Sequence, residues 1–391
     1  MTTSSAGSSE FTGIENRMKK KLEERKQSDS FRQLIPSDSS FIDFCSNDYL
    51  GFARSIEMQN EIDVAWNKIK KTDTNQLSGS GGSRLLAGNS KYAEVLEQEL
   101  ASFYKSESFL LFNSGYTANL SLFSCIPQRG DTIIFDELIH ASVRDGIRLS
   151  GAKAWGYSHN NSEEVETLLK KAEGEIFVVA EAVYSMDGDE CPLKEIILLC
   201  EKYNASFILD EAHSNGIYGV NGEGIAVMNN LQDKIFARLY TFGKAAGCHG
   251  AGIAGSEMLR NYLINFARPF IYTTSLPLYD LATIACSVRR FSKVRELREQ
   301  LSNFIQYFRK EAEKYSSIRL LPSLSPIQGI IIGGNQKTRI VAEKCRSKKF
   351  DVRAILSPTV PEGQERLRVI IHAFNHPLEM DELLKIIDEA I

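Results

Sequence analysis

Residues 206–216 read Ser-Phe-Ile-Leu-Asp-Glu-Ala-His-Ser-Asn-Gly, an apolar run that delivers Asp210 and, three residues on, His213. A short apolar run bounded by polar turn residues reads as a buried strand. A carboxylate at its end is expensive unless something pairs with it. The alternative is a helix N-cap, where aspartate is favoured. Asp210 to His213 also spell the DEAH box of a helicase family, but that reading needs a G-x-x-x-x-G-K-[ST] loop, which the chain lacks.

Further strand-like runs lie on both sides of this one: SFLLF (108–112), DTIIF (131–135), AKAWGY (152–157), EIFVVAE (175–181), KIFARLYTF (234–242) and AGIAG (251–255). Amphipathic stretches such as Ser162–Lys171 and Leu193–Tyr203 separate them. The alternation predicts an α/β fold with a mostly parallel seven-stranded sheet covered on both faces, whose ligands bind at the carboxyl ends of the strands. Three other strand ends carry chemistry. LYTF runs into Gly243 and Lys244, with small Ala245, Ala246 and Gly247 beyond, where an amine is approached closely and its pKa is lowered. SFLLF runs into Asn113-Ser114-Gly115-Tyr116, a strand–turn–helix junction whose free N–H groups suit a phosphate, with an aromatic ring beside them. DTIIF is followed by His140. An anion cradle, a strand-end carboxylate, two histidines and a strand-end lysine together describe a pyridoxal 5'-phosphate site: the carboxylate protonates the pyridine nitrogen, the lysine holds the aldehyde, and His140 stacks on the ring.

The rest of the chain bounds this reading. Its 391 residues, 43% hydrophobic and 25% charged, suit a soluble globular protein with a large core. A balance of 46 Lys+Arg against 50 Asp+Glu offers no cationic excess for nucleic acid or an anionic membrane. No run approaches the length of a membrane helix. Seven cysteines without a C-x-x-C pair suit a reducing cytoplasm better than a disulfide framework or a zinc knuckle, and no metal site is expected. The polar residues 1–13 read as a disordered tail. Residues 14–45 read as an N-terminal helix and a short strand, the helix lying on the body through Ile14, Met18 and Leu22. The large domain is expected over 46–285 and a smaller α+β domain over 286–391.

The segments GSGGSRLLAGN (79–89), NSGYTAN (113–119), HAS (140–142), SMDGD (185–189), DEAH (210–213) and TFGK (241–244) occur in the order that the α-oxoamine synthases show, and the chain resembles that family from about Leu22 to its last helix. The glycine-rich stretch fails the dinucleotide-binding pattern, since Gly79 to Arg84 lacks the final glycine. The resemblance implies a fold-type I, aspartate aminotransferase-like transferase that uses pyridoxal 5'-phosphate. FCSNDYLG (44–51) and NFARPFIYTTSLP (265–277) look most like the members that join L-alanine to a pimeloyl thioester, carried by CoA or an acyl carrier protein, in biotin biosynthesis. Members that acetylate glycine are the nearest rival, and a cofactor-binding partner subunit without activity is the reading from another class. Carried over by position, Lys244 is the Schiff-base lysine, Asp210 the pyridinium partner, His213 the ligand of the phenolic oxygen and His140 the stacking residue. Ser114, Gly115, Tyr116 and Thr241 fall on the phosphate and ring side, Ser185 near the phenolic oxygen, and Glu181 is a supporting carboxylate. Thr273 and Thr274 match residues that reach the partner's phosphate, which implies a homodimer. Asn47, Arg32 and Thr359 match substrate positions. The family's substrate-carboxylate arginine falls on Leu356, in Ala354-Ile355-Leu356-Ser357-Pro358-Thr359. Arg353 is the nearest cation to replace it, with Arg32, Arg368 or an ordered water as the alternatives; three residues away, Arg353 needs a bend in the strand to reach the same face.

Overall fold

A computed structural model describes residues 12–36 and 38–391. Seven strands form the central sheet: β1 (Ser108–Phe112), β2 (Thr132–Asp136), β3 (Lys153–Tyr157), β4 (Ile176–Glu181), β5 (Ser206–Asp210), β6 (Ala237–Thr241) and β7 (Ala251–Gly255). Their spatial order is β1-β7-β6-β5-β4-β2-β3, and all run parallel except β7. The exception follows from the connections. Parallel neighbours need a crossover, as the helix Leu193–Tyr203 supplies between β4 and β5, whereas the short helix-free segment after β6 turns straight back. Side chains alternate between two apolar layers: Phe109, Val178 and Leu209 point to one core, Leu110, Val179 and Ile208 to the other. The unpaired edge strand β3 is largely exposed.

The strands β1, β2, β4, β5 and β6 end on the same rim, and the register pairs Glu181 with Asp210 and Asp210 with Leu239. Ser114, His140, Ser185, His213 and Lys244 each follow within a few residues of one of those ends.

The C-terminal part carries a four-stranded antiparallel sheet in the order Arg353–Ile355, Arg366–Ile370, Ile327–Ile331, Arg319–Leu320, with helices Arg295–Ala312, Asn335–Ser347 and Pro377–Ala390. The short strand Ile42–Asp43 pairs with Phe350–Asp351 of this part. Ile370 and Ala373 then donate backbone bonds to Phe44 and Tyr49, so residues 42–49 run from the small sheet into the central cavity. The boundary expected between 285 and 286 falls inside the helix Leu278–Phe291, which packs on Ile56–Thr72 and Lys91–Phe103 of the large domain.

The expected tail lies outside the described residues as far as position 11; Thr12 already caps the helix Gly13–Gln27, in a capping box with Glu15. Contrary to expectation this helix does not lie on the body. Ile14, Met18 and Leu22 are each at least half exposed, and no residue of the helix is buried. The apolar stripe is one residue wide in a segment otherwise charged, too little to hold a face down. Just beyond its end, Asn335 and Arg339 donate to the carbonyls of Ser28, Asp29 and Phe31.

Candidate active site

At the rim, a cavity of about 150 Å³ is lined by Gly115, Tyr116, Asn119, His140, Ser142, Glu181, Asp210, Ala212, His213, Leu239, Thr241 and Lys244. Lys244 stands in the turn after β6, and its Nζ lies 2.8 Å from His213 Nε2. Burial lowers its pKa, and Arg368 adds to the lowering, against the opposing pull of the Asp210 and Glu181 carboxylates. The amine is thus biased toward the neutral nucleophile. His213 is buried, and its other nitrogen lies 2.6 Å from the Tyr49 hydroxyl. Burial, with the Lys244 and Arg368 cations, holds its pKa well below the imidazole range.

Asp210 accepts from Ala212 N at 2.9 Å and from Asn119 Nδ2 at 2.9 Å. The first bond is the cap-like one that the alternative reading expected, but turns follow it rather than a regular helix. Beside it Glu181 Oε2 accepts from Ser185 N at 3.2 Å, while Glu181 Oε1 is buried without a hydrogen-bond partner. Burial, and then the neighbouring Asp210 charge, raise the Glu181 pKa. On the cavity's opposite wall, Ser114 caps the helix Gly115–Cys125 by accepting from Thr117 N. The other N–H groups of that first turn have no intrahelical acceptor. A Cβ on Gly115 would meet Thr241 at 3.6 Å, an ordinary contact, which places the helix start against that threonine. Tyr116 bonds Asp145 at 2.6 Å and exposes about half of its surface.

These residues fit pyridoxal 5'-phosphate on their own chemistry. A helix start with open donors suits the phosphate, the buried Lys244 amine suits the aldehyde, Asp210 suits the ring nitrogen, and the partnerless Glu181 oxygen marks a polar wall made to face something polar.

The expected substrate residues divide into two groups. Asn47 Oδ1 accepts from Arg368 at 3.0 Å and from Tyr49 at 3.3 Å, beside the Lys244 cavity. Arg32, Arg353, Leu356 and Thr359 line a separate cleft of about 490 Å³ under the helix Asn335–Ser347, where Arg32 donates to Thr359 at 3.3 Å. Arg353 is held there by Asp351 at 3.1 Å. Thr273 and Thr274 sit against Asn113, whose Nδ2 donates to the Thr274 carbonyl at 2.7 Å, next to the phosphate-side turn. The site also includes residues that the sequence reading did not single out. Tyr49, Asn119 and Ser142 lie inside the quoted motifs FCSNDYLG, NSGYTAN and HAS, so the signal was present but attached to whole segments. Arg368, an alternative to Arg353 in the sequence reading, donates to the Ser185 carbonyl at 2.7 Å and stands close enough to act on the pKa of Lys244, His213 and Tyr49.

Fold and site together define a fold-type I enzyme that uses pyridoxal 5'-phosphate. Residues 39–387 match the family model for class I and II aminotransferases, and the chain belongs to that family. An 8-amino-7-oxononanoate synthase of Emericella nidulans is 38% identical over 380 residues, covering 91% of this chain and 90% of that protein. The solved 8-amino-7-oxononanoate synthase of Francisella tularensis superposes with a TM-score of 0.77 at 29% identity, covering 90% of this chain and 98% of that one. A serine palmitoyltransferase from S. paucimobilis, solved with PLP–myriocin bound, gives 0.87 at 25% identity over 97% and 98% of the two chains.

Proposed function

We propose that the enzyme joins L-alanine to a pimeloyl thioester, on CoA or an acyl carrier protein, releasing CO2, free thiol and 8-amino-7-oxononanoate for biotin synthesis. The observation that carries this reading is the convergence of Lys244, Asp210, His213 and His140 on one cavity, in a chain 38% identical to a synthase of that name. Bound there, the cofactor supplies an electron sink for bonds broken at the amino-acid Cα. Lys244 would hold the cofactor and, through Nζ, take the amino-acid Cα proton, a role its lowered pKa suits. Asp210 keeps a proton on the ring nitrogen, and Asn119 and the Ala212 N–H hold that carboxylate in place. His213 and Ser185 serve the phenolic-oxygen side, Ser114, Gly115 and Thr241 the phosphate, and His140 covers the ring face. The overall reaction would form a bond between the alanine Cα and the acyl carbonyl carbon, expel the thiol and release the alanine carboxylate as CO2.

For the alanine carboxylate we assign Arg368 with Asn47 in place of Arg353. Arg353 is already paired with Asp351 in the outer cleft, whereas Arg368 stands beside Lys244. Arg32 and Thr359 bind the acyl substrate in that cleft. Thr273 and Thr274 complete the phosphate site of a second copy, so the working form is a homodimer. All seven cysteines are free thiols, in keeping with a reducing cytoplasm. Among the described residues no helix is long and apolar enough to cross a membrane.

A thiol-release assay over a grid of amino acids and acyl thioesters tests the reading. Alanine with a pimeloyl thioester gives the highest kcat/KM, and a higher value for glycine with acetyl-CoA transfers the enzyme to the rival activity.

A further inference from the structure

His140 opens onto the cavity, and the bonds behind it decide where its proton sits. Its Nδ1 lies 3.2 Å from the backbone nitrogen of Ser142 and 2.7 Å from the Ser142 hydroxyl. A backbone N–H can only donate, so Nδ1 must be the bare, accepting nitrogen. The ring proton then belongs on Nε2, on the side away from Ser142. A second layer supports this arrangement. Asn119 spends its amide hydrogens on Asp210 Oδ2 at 2.9 Å and on Ser142 Oγ at 3.1 Å. Supplied with that hydrogen, the fully buried Ser142 hydroxyl is left to give its own to His140 Nδ1.

We propose that Ser142 is a positioning residue which, oriented by Asn119, locks His140 as the Nε2–H tautomer and so presents one N–H donor to whatever occupies the cavity. The network runs without a break from the carboxylate assigned to the ring nitrogen to the imidazole assigned to the ring face. One asparagine therefore sets both walls of the cavity. The charged and titratable groups around His140 are Asp210, Lys244, Glu181 and His213. A protonated Nδ1 would point a hydrogen at the Ser142 N–H and strip the first turn of the helix Ala141–Ser150 of its cap. Burial and the Lys244 charge also disfavour the imidazolium, against the pull of Asp210.

The inference rests on the cofactor reading only for what the Nε2–H meets; the tautomer itself is a property of this chain. The test is long-range 1H–15N correlation on holoenzyme labelled with [15N]histidine, the His140 signals being those lost in His140→Asn. Six histidines keep the spectrum tractable. Wild type gives a pyridine-like Nδ1 and a pyrrole-like Nε2. Ser142→Ala, which keeps the backbone N–H on Nδ1 but loses the hydroxyl, and, to a smaller extent, Asn119→Ala move both shifts part of the way toward the averaged values of free imidazole, while retained cofactor absorbance shows that the fold persists. kcat falls severalfold in Ser142→Ala with little change in the alanine KM. A pyrrole-like Nδ1 in wild type overturns the tautomer assignment; unchanged shifts in Ser142→Ala overturn the positioning role of the Ser142 side chain and leave the tautomer to the backbone N–H; unchanged shifts in Asn119→Ala alone remove Asn119 from the lock. If the lock holds in a protein without thiol-release activity, the proposed reaction fails and the tautomer assignment stands.

Discussion

Two histidines on the rim of one sheet are held in opposite states by their partners. His140, just beyond β2, faces an N–H and a hydroxyl, and its pKa is lowered by burial and the Lys244 charge. His159, just beyond β3, lies between carboxylates on both sides: Nδ1 is 3.0 Å from Asp136 Oδ1 and Nε2 is 2.8 Å from Asp189 Oδ2. Both of its nitrogens must donate, so the ring is an imidazolium. Those two anions outweigh the cost of burial and push its pKa up to about 10. The neutral ring faces the cavity; the charged ring is a clamp. Asp189 belongs to the turn Ser185-Met186-Asp187-Gly188-Asp189, which Arg366 grips at Asp187 and Arg368 at the Ser185 carbonyl. The clamp thereby fixes the loop that carries Ser185, while His140 is left to meet ligands.

The hardest blow falls on the cavity side. On the proposed mechanism Lys244→Ala removes both the cofactor's attachment and the base, so turnover drops by about 10³-fold or more. Borohydride reduction and peptide mapping check it independently: wild type is labelled at Lys244 alone, and a label on another lysine sinks the assignment. In Asp210→Asn turnover falls further than cofactor affinity, because shape survives and the charge at the ring nitrogen does not. Wild-type-like turnover there would reduce Asp210 to the role of a cap for Ala212.

Between these sides stands the arginine question. Arg368→Ala weakens alanine binding by about 1.5–3 kcal/mol, the range for hydrogen bonds to charged groups, whereas Arg353→Ala leaves it within about 0.5 kcal/mol of wild type. Titrating each variant with alanine and following the cofactor's absorbance separates them. The reverse order would return the carboxylate to Arg353 and dissociate Arg368 from the chemistry.

What the sequence made legible follows from chain geometry. Apolar runs and the polar residues directly after them are local, so all seven strands, and Asp210, His213, Lys244 and His140 at their ends, could be read from short windows. Contacts between distant segments could not. Tyr49 reaches His213 across 164 residues and Arg368 reaches Asn47 across 321. His159 follows a largely exposed edge strand and acquires its charge from Asp136 and Asp189, which are 23 and 30 residues away. Arg353 shows the converse: adjacency to Leu356 in sequence suggested a substitute, but the ion pair with Asp351 engages it elsewhere.

The smallest expected effect discriminates best between the two histidines. His159→Phe exchanges a charged pair of hydrogen bonds for a ring of similar size, and the partial solvent access of the site keeps the loss to about 1–2 kcal/mol. Its pH dependence has a definite sign. With a folded pKa near 10, His159 contributes fully below the unfolded value of about 6.5 and loses that contribution as pH rises through about 10. Asp136, with its pKa lowered by the His159 bond and backbone donors against the cost of burial, contributes above about pH 4 and loses its share in acid. The melting-temperature gap between wild type and His159→Phe is therefore widest near pH 5–6 and narrows toward pH 9. His140 has the opposite sign: its lowered pKa favours the folded state above about pH 6.5 and costs stability as pH falls. Measured over pH 5–9, the gap between wild type and His140→Asn widens up to about pH 6.5 and then levels, while that for His159→Phe is level up to about pH 6.5 and then closes. Parallel slopes for the two variants would show that neither ring is held in the charge state its partners dictate.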